Sequence, residues 1–248
     1  MKISSISDIH IKSPTDKSYA LLLDFLNHKE VSDSDGVLLL GDIFDFMMGE
    51  HKEYLDLYKD FFKALNSLLQ NGKEVHFFEG NHDFHLEGLF KHHLKSEKFF
   101  YHTKGIQKTI GEKKVYFCHG DDIQIGDPTY KILKFVLRNR FSRFLFNKVF
   151  PFKVQQFVAE FFSNKSRKRG QAYYSNQDVI KEIFRKSAIN FWKFNTADIL
   201  VCGHSHCQDD FRPMENRKYL NNGYFPNSGN FLVIDEAETR FCKINLSV

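Results

Sequence analysis

Short, mostly apolar runs recur along the chain at 3–6, 37–40, 75–78, 115–118 and 199–202. Runs of this length with little polar alternation read as buried strands. Between the second and third runs, Tyr54, Leu57, Tyr58, Phe61, Phe62, Leu65, Leu68 and Leu69 recur at helical spacing, which predicts an amphipathic helix. Asn71-Gly72 supplies its stop, because a left-handed residue ends a helix and glycine adopts that backbone without a Cβ clash. Strand–helix–strand alternation predicts an α/β fold whose strand-end loops hold the chemistry.

After His119 the pattern changes. From 127 to 195 there is no strand pattern, only basic, Phe-rich helical stretches broken near Phe150-Pro151 and near Gly170. This segment reads as a helical insertion lying over the α/β body, within a single domain spanning 1–248. Strands resume at Ile199, and Asn221-Asn222-Gly223, Asn227-Ser228-Gly229 and Asp235-Glu236-Ala237 mark the closing turns.

Composition sharpens the picture in three places. Hydrophobic content of 42% with 27% charge excludes a disordered chain. The opening residues are too polar for a signal-peptide apolar region, and no window approaches the ~18 apolar residues of a membrane span. The four cysteines show no C-x-x-C spacing, which fits free thiols in a reducing cytoplasm.

The net charge of +4 conceals an asymmetry. Between 131 and 169 eleven basic residues face one acid, Glu160, a surplus of +10 that leaves −6 for the rest. Nine phenylalanines share that segment. Basic and apolar aromatic residues together suit an anionic, amphipathic phospho-substrate, or peripheral contact with an anionic membrane surface. A nucleic-acid groove would favour stacking platforms of Tyr, Trp and Arg, so no nucleic acid is expected, and nothing implies a protein partner. The alternative, that the phenylalanines form the insertion's own core under solvated Lys and Arg, leaves the charge asymmetry unexplained.

Each apolar run ends in polar residues able to bind a metal. These are Ser7-Asp8-Ile9-His10, Gly41-Asp42, Gly80-Asn81-His82-Asp83, His119-Gly120-Asp121 and Gly203-His204-Ser205-His206. A lone Asp or His after a strand is usually a cap or turn residue, but five such ends in succession would converge at one edge of a sheet. Crowded carboxylates repel unless a cation joins them. Asp, His and an Asn carbonyl suit Mn²⁺, Fe or Zn²⁺, and the absence of Cys argues against a structural zinc.

In order and in full, the five blocks resemble those of the calcineurin-like metallophosphoesterase superfamily. The resemblance implies a β-sandwich flanked by helices, in α/β/β/α layers, with the insertion as a cap. It implies two divalent ions, with Mn²⁺ expected and Fe or Zn²⁺ as the alternatives. Asp8, His10, Asp42 and His206 would hold one ion; Asp42, Asn81, His119 and His204 would hold the other. His82 would stand beside the phosphate, protonating the leaving oxygen or stabilising charge there, with Asp45 orienting it and Asn81 also touching substrate. His28, His51, His76, His85, His92, His93 and His102 fall outside the blocks and receive no role.

Gly41-Asp42-Ile43-Phe44-Asp45-Phe46 and the insertion after His119-Gly120-Asp121 resemble the UDP-2,3-diacylglucosamine pyrophosphatase branch. Those enzymes act at the inner face of the inner membrane in lipid A synthesis, releasing UMP and a lipid monophosphate. The resemblance places Asp127 and Tyr130, and by a looser match Arg167 and Lys168, against substrate. One departure stands out: well-known members of the branch carry Arg where this chain has His82, and Glu where it has Asp45. A phosphodiesterase or phosphatase for a soluble nucleotide is therefore the alternative. A non-catalytic binding module of the same fold ranks below both, because none of the seven ligands is missing.

Overall fold

A computed structural model describes residues 1–126, 128–154, 157 and 176–245. Its strands are β1 (Ile3–Ile6), β2 (Gly36–Leu39), β3 (Met47–Met48), β4 (Glu74–Phe78), β5 (Asp83–Phe84), β6 (Phe99–His102) and β7 (Ile106–Ile110). They continue with β8 (Lys113–Phe117), β9 (Ile199–Val201), β10 (Asp209–Met214), β11 (Arg217–Asn221), β12 (Asn230–Ile234) and β13 (Thr239–Lys243). Two sheets result, in the orders β13-β12-β1-β2-β4-β6 and β10-β11-β9-β8-β7, with β3 and β5 forming a small third.

The five apolar runs are strands, but they are divided. β1, β2 and β4 run parallel in the first sheet, and β8 and β9 run parallel in the second. Residue alternation explains the layering. Ile3, Leu38, Leu40, Phe78, Leu232 and Ile234 meet Ile110, Val115, Phe117, Ile199, Val201 and Leu220 between the sheets. The opposite residues of the first sheet, Val37, Leu39, Val75 and Phe77, pack under helices Lys17–Leu26, Lys59–Gln70 and Glu87–Leu94. Leu200, Cys202 and Tyr219 pack under Ile180, Phe184 and Ala188 of the helix Gln177–Phe191. Four layers follow, α/β/β/α, and the strand ends of both sheets meet along one edge.

The expected helix between the second and third runs is two, Glu53–Leu57 and Lys59–Gln70, with Tyr58 between them at φ −116° and ψ 39°. Its stop is as expected: Gly72 has φ +79°, and Lys73 N–H reaches the Leu68 carbonyl at 3.1 Å.

The described part of 127–195 holds no strand. It contains helices Pro128–Leu137 and Arg140–Phe144, a π-helical turn Leu145–Val149 and the helix Gln177–Phe191. Lys134 and Arg138 turn inward onto Asp121, while Ile132, Phe135 and Val136 face solvent, Phe135 at 75% exposure. Phe141, Phe144 and Phe157 are also exposed, as are Lys131, Arg140, Lys148 and Lys153. Arg143 pairs with Glu50 and Glu87 at 3.3 Å each, and His51 and His85 donate to the carbonyls of Phe146 and Leu137. Part of the charge asymmetry therefore docks the insertion onto an acidic body. Among the described residues no helix is long and apolar enough to cross a membrane.

A polar clasp joins the outer edges of the two sheets. His76 Nδ1 lies 2.9 Å from His102 Nε2 and its Nε2 lies 3.1 Å from Glu74 Oε2, which Lys108 of the second sheet reaches at 2.6 Å. Burial, then the nearby Lys108, lowers both histidines to about 4. Folded, they stay neutral where unfolded histidines begin to protonate, near pH ~6.5. Their contribution is complete above that pH and is lost as pH falls towards about 4. Urea unfolding from pH 8 to 4 should show stability falling over this window, with a shallower slope in a His76→Asn/His102→Asn variant. An identical slope in that variant would remove the clasp as the cause.

Candidate metal centre

The strand-end loops are short and tightly turned. Asp8, His10, Asp42, His204 and His206 have φ of +55°, +52°, +52°, +66° and +56°. Left-handed backbone costs a non-glycine residue roughly 1–2 kcal/mol, and such strain persists only where surrounding structure enforces it. Here the loops enforce one another: Ile9 and His10 N–H both donate to the Asp42 carbonyl at 2.9 and 3.0 Å. Glycine is obligatory at the closest approach, since a Cβ on Gly80 would lie 2.2 Å from Asp42 N and Oδ1.

Asp83 organises the middle of the site. Its Oδ1 accepts from Asp42 N at 2.9 Å and Gly80 N at 2.8 Å; its Oδ2 accepts from Ile43 N at 2.7 Å and Phe44 N at 3.2 Å. Burial and the adjacent Asp42 push its carboxyl up to about 7, against these four donors. With Asp42 so fixed, His82 N donates to Asp42 Oδ1 at 2.9 Å. Asp42 Oδ2 is then turned towards His10 Nε2 at 3.6 Å and His119 Nε2 at 3.5 Å.

Two donor clusters meet at that oxygen. In one, His10 Nε2 and His206 Nε2 lie 3.0 Å apart, and His206 Nε2 is 3.4 Å from Asp8 Oδ1. In the other, His119 Nε2 lies 3.0 Å from Asn81 Oδ1, and His204 joins Asp42 and His119. Metal–nitrogen bonds of about 2.0–2.1 Å in tetrahedral geometry put ligand atoms roughly 3.3 Å apart, so the donor atoms have the spacing a cation requires. All seven expected ligands are thus brought together. Their outer contacts are also fixed: His119 Nδ1 donates to the Leu40 carbonyl at 2.9 Å, and Asp8 accepts from Ser7 Oγ and His204 N.

His82 stands beside the first cluster, its ring 4.8 Å from that of His10. It meets Asp45 chiefly through the main chain. Nδ1 donates to the Asp45 carbonyl at 2.7 Å, while the Asp45 carboxylate lies 3.9 Å from that nitrogen and 3.5 Å from His10 Nδ1. Asp127, Arg167 and Lys168 lie outside the described residues, as does the side chain of Tyr130. Sequence reasoning passed over Asp83, Tyr224 stacked on His206 at 5.2 Å, and Gln124, whose Oε1 lies 3.0 Å from His204 Nε2. Asp83 sits inside a quoted block, but nothing in the pattern distinguishes Tyr224 or Gln124.

Two adjoining clusters of Asp and His donors at the strand ends of an α/β/β/α sandwich are the arrangement of a metal-dependent hydrolase, and the family match bears this out. The chain belongs to the calcineurin-like phosphoesterase family, whose model matches residues 1–208. That family uses a dinuclear divalent metal site, and its members hydrolyse phosphoesters. Among its relatives is the UDP-2,3-diacylglucosamine hydrolase of Haemophilus influenzae, 26% identical over 241 residues and covering 94% of each chain. Another is the enzyme of the same name from Actinobacillus succinogenes, 28% identical over 207 residues, 82% of this chain and 83% of that one. A solved archaeal phosphodiesterase is 14% identical, with 98% of this chain and 100% of that one covered and a TM-score of 0.47.

The proton states follow from the crowding. Burial pushes His10 down, and burial with neighbouring His119 lowers His204 to about 4. Burial would lower His119 too, but Asp42, Asp121 and Asp8 outweigh it and raise the ring to about 9. Without an ion, His119 is therefore protonated at pH 7, and a cation must displace that proton. Titration with Mn²⁺ in buffers of different ionisation enthalpy should show close to one proton released by this group at pH 7, declining above about 9. Release independent of pH across that range would contradict the assignment. Separately, Asp83→Asn should lose at least ~2 kcal/mol in urea unfolding with chelator present, since one amide oxygen cannot serve four buried donors. A wild-type midpoint would refute it.

Proposed function

We propose that the chain cleaves the diphosphate of UDP-2,3-diacylglucosamine, releasing UMP and leaving a lipid monophosphate. The observation that carries phosphorus chemistry is Asp42 Oδ2, one buried atom facing both His10 Nε2 and His119 Nε2. The lipid substrate is supported by the names of relatives matched over most of the chain. It is also supported by the exposed Phe135, Phe141 and Phe157 among exposed basic residues, a surface suited to acyl chains at the anionic inner face of a membrane.

In this proposal Asp8, His10, Asp42 and His206 hold one Mn²⁺, and Asp42, Asn81, His119 and His204 hold the second. When bound, such a pair supplies Lewis acidity, lowering the pKa of water from ~15.7 towards ~7 and neutralising charge on phosphate oxygens. His82 supplies the remaining positive charge. Burial works against a charged ring, but Asp42 and Asp45 raise its pKa. With Nδ1 committed to the Asp45 carbonyl, Nε2 carries the proton turned to the leaving oxygen. Asn81, with Oδ1 towards His119, has its amide nitrogen left for a phosphate oxygen. Asp127, Tyr130, Arg167 and Lys168 are proposed substrate contacts on the branch resemblance alone.

His82 itself favours the second reading, a phosphodiesterase or phosphatase for a soluble nucleotide. An imidazolium can surrender its proton to an alkoxide leaving group, whereas a guanidinium cannot. A departing phosphate, with its second pKa near ~6, needs charge stabilisation and little protonation.

These readings separate experimentally. Purified protein with Mn²⁺ should release UMP from the lipid in detergent, and Asp42→Ala should lower kcat by at least ~10³-fold. If the leaving group is a phosphate, His82→Arg should keep kcat within about tenfold. A fall of roughly 10²–10⁴, the size of a general-acid contribution, together with turnover of a soluble nucleotide diester, would favour the second reading.

A further inference from the structure

The two donor clusters are supported from different directions. Among the contacts of the described residues, Asp8, His10 and His206 are reached from the body by Ser7, Asp45 and Tyr224. The segments carrying Asn81, His119 and His204 meet the insertion. Arg138 Nη2 donates at 2.5 Å to the main-chain oxygen of Gly80, the residue before Asn81. The same nitrogen lies 3.6 Å from Asp121 Oδ2, which Lys134 Nζ approaches at 2.9 Å. Asp121 is buried two residues beyond His119, in the loop that carries Gln124 to His204 Nε2. Gln124 N–H closes that loop on the Gly120 carbonyl at 3.2 Å. Arg138 is only 13% exposed, and its guanidinium lies 5.8 Å from the ring centre of Phe84. It thus bridges two ligand loops from the turn that directly follows the helix Pro128–Leu137.

We propose that Arg138 is a positioning residue for the second cation subsite, so that the subsite is complete only when the helix Pro128–Leu137 is docked. This rests on assigning Asn81, His119 and His204 to one subsite. Gly80 and Asp121 belong to separate loops, and one planar guanidinium fixes both, which sets the distance between Asn81 and His119. Linkage makes the effect reciprocal: whatever factor docking adds to the affinity of the second ion, that ion returns to the docking of the helix.

The full chain is titrated with Mn²⁺, with free ion followed by electron paramagnetic resonance. The wild type should take up two ions and His119→Ala one; two ions in His119→Ala would overturn the subsite assignment itself. Arg138→Met should weaken the second ion about 10–100-fold, the usual effect of removing an outer partner of a metal ligand, and leave the first unchanged. Arg138→Lys, able to reach one of the two acceptors, should recover part of the loss. Arg143→Met is the control, because Arg143 docks the insertion through Glu50 and Glu87 rather than through the ligand loops. It should loosen docking without touching either ligand loop, so the second ion should weaken by less than in Arg138→Met and the first should be unchanged. Wild-type binding in Arg138→Met, or equal weakening in both variants, would overturn the proposal. The wild type gives a second test free of folding effects. Amides of the helix Pro128–Leu137 should exchange 10–100-fold more slowly once the second ion binds, and unchanged exchange would also overturn it.

Discussion

The centre depends on one buried carboxylate that binds no ion in the proposed scheme. Asp83 gathers four main-chain N–H groups, three from the loop after β2 and one from the loop after β4. These amides would otherwise be buried without partners, at about 1–3 kcal/mol each. Because Asp42 is held by its own N–H, its side chain has one orientation, with Oδ1 on His82 N and Oδ2 between the clusters. The shared oxygen is thus a consequence of main-chain bonding. Gly80 completes the arrangement by leaving no Cβ where Asp42 must lie.

The insertion obeys a different logic. On its first helix Lys134 turns inward to Asp121 while Ile132, Phe135 and Val136 are exposed. Lys134, Arg138 and Arg143 pair with Asp121, Asp122, Glu50 and Glu87, so three of the segment's eleven basic residues are engaged within the molecule. What remains exposed is a mixture of Phe with Lys and Arg. That composition binds interfaces better than it binds water.

The strand ends were legible because each pairs a short apolar run with residues that have no reason to cluster except a shared ion. The left-handed stop at Gly72 was legible for a similarly local reason. Division of the five runs between two sheets was not, because parallel neighbours in either sheet present the same four-residue pattern. The break at Tyr58 interrupts a helical periodicity that is itself continuous. Arg143 meets Glu50 and Glu87 across 93 and 56 residues, and such pairs leave no trace in local spacing. The link from His82 to Asp45 was legible as a pair but not in its atoms, since a main-chain acceptor has no sequence signature. His76 and His102, apparently unpatterned, prove to be neighbours on adjacent strands.

Five of the seven candidate ligands lie in left-handed backbone. Glycine or asparagine would relax each position, and a chain shaped by folding alone would carry them there. Retaining Asp and His therefore leaves the edge of the sandwich wound like a set spring, restrained by Asp83 and by contacts between the loops. The spacing of the centre's donor atoms is set by main-chain bonding within and between these loops. Such a frame selects ions by fit, and resists those whose preferred bond lengths would force the loops apart.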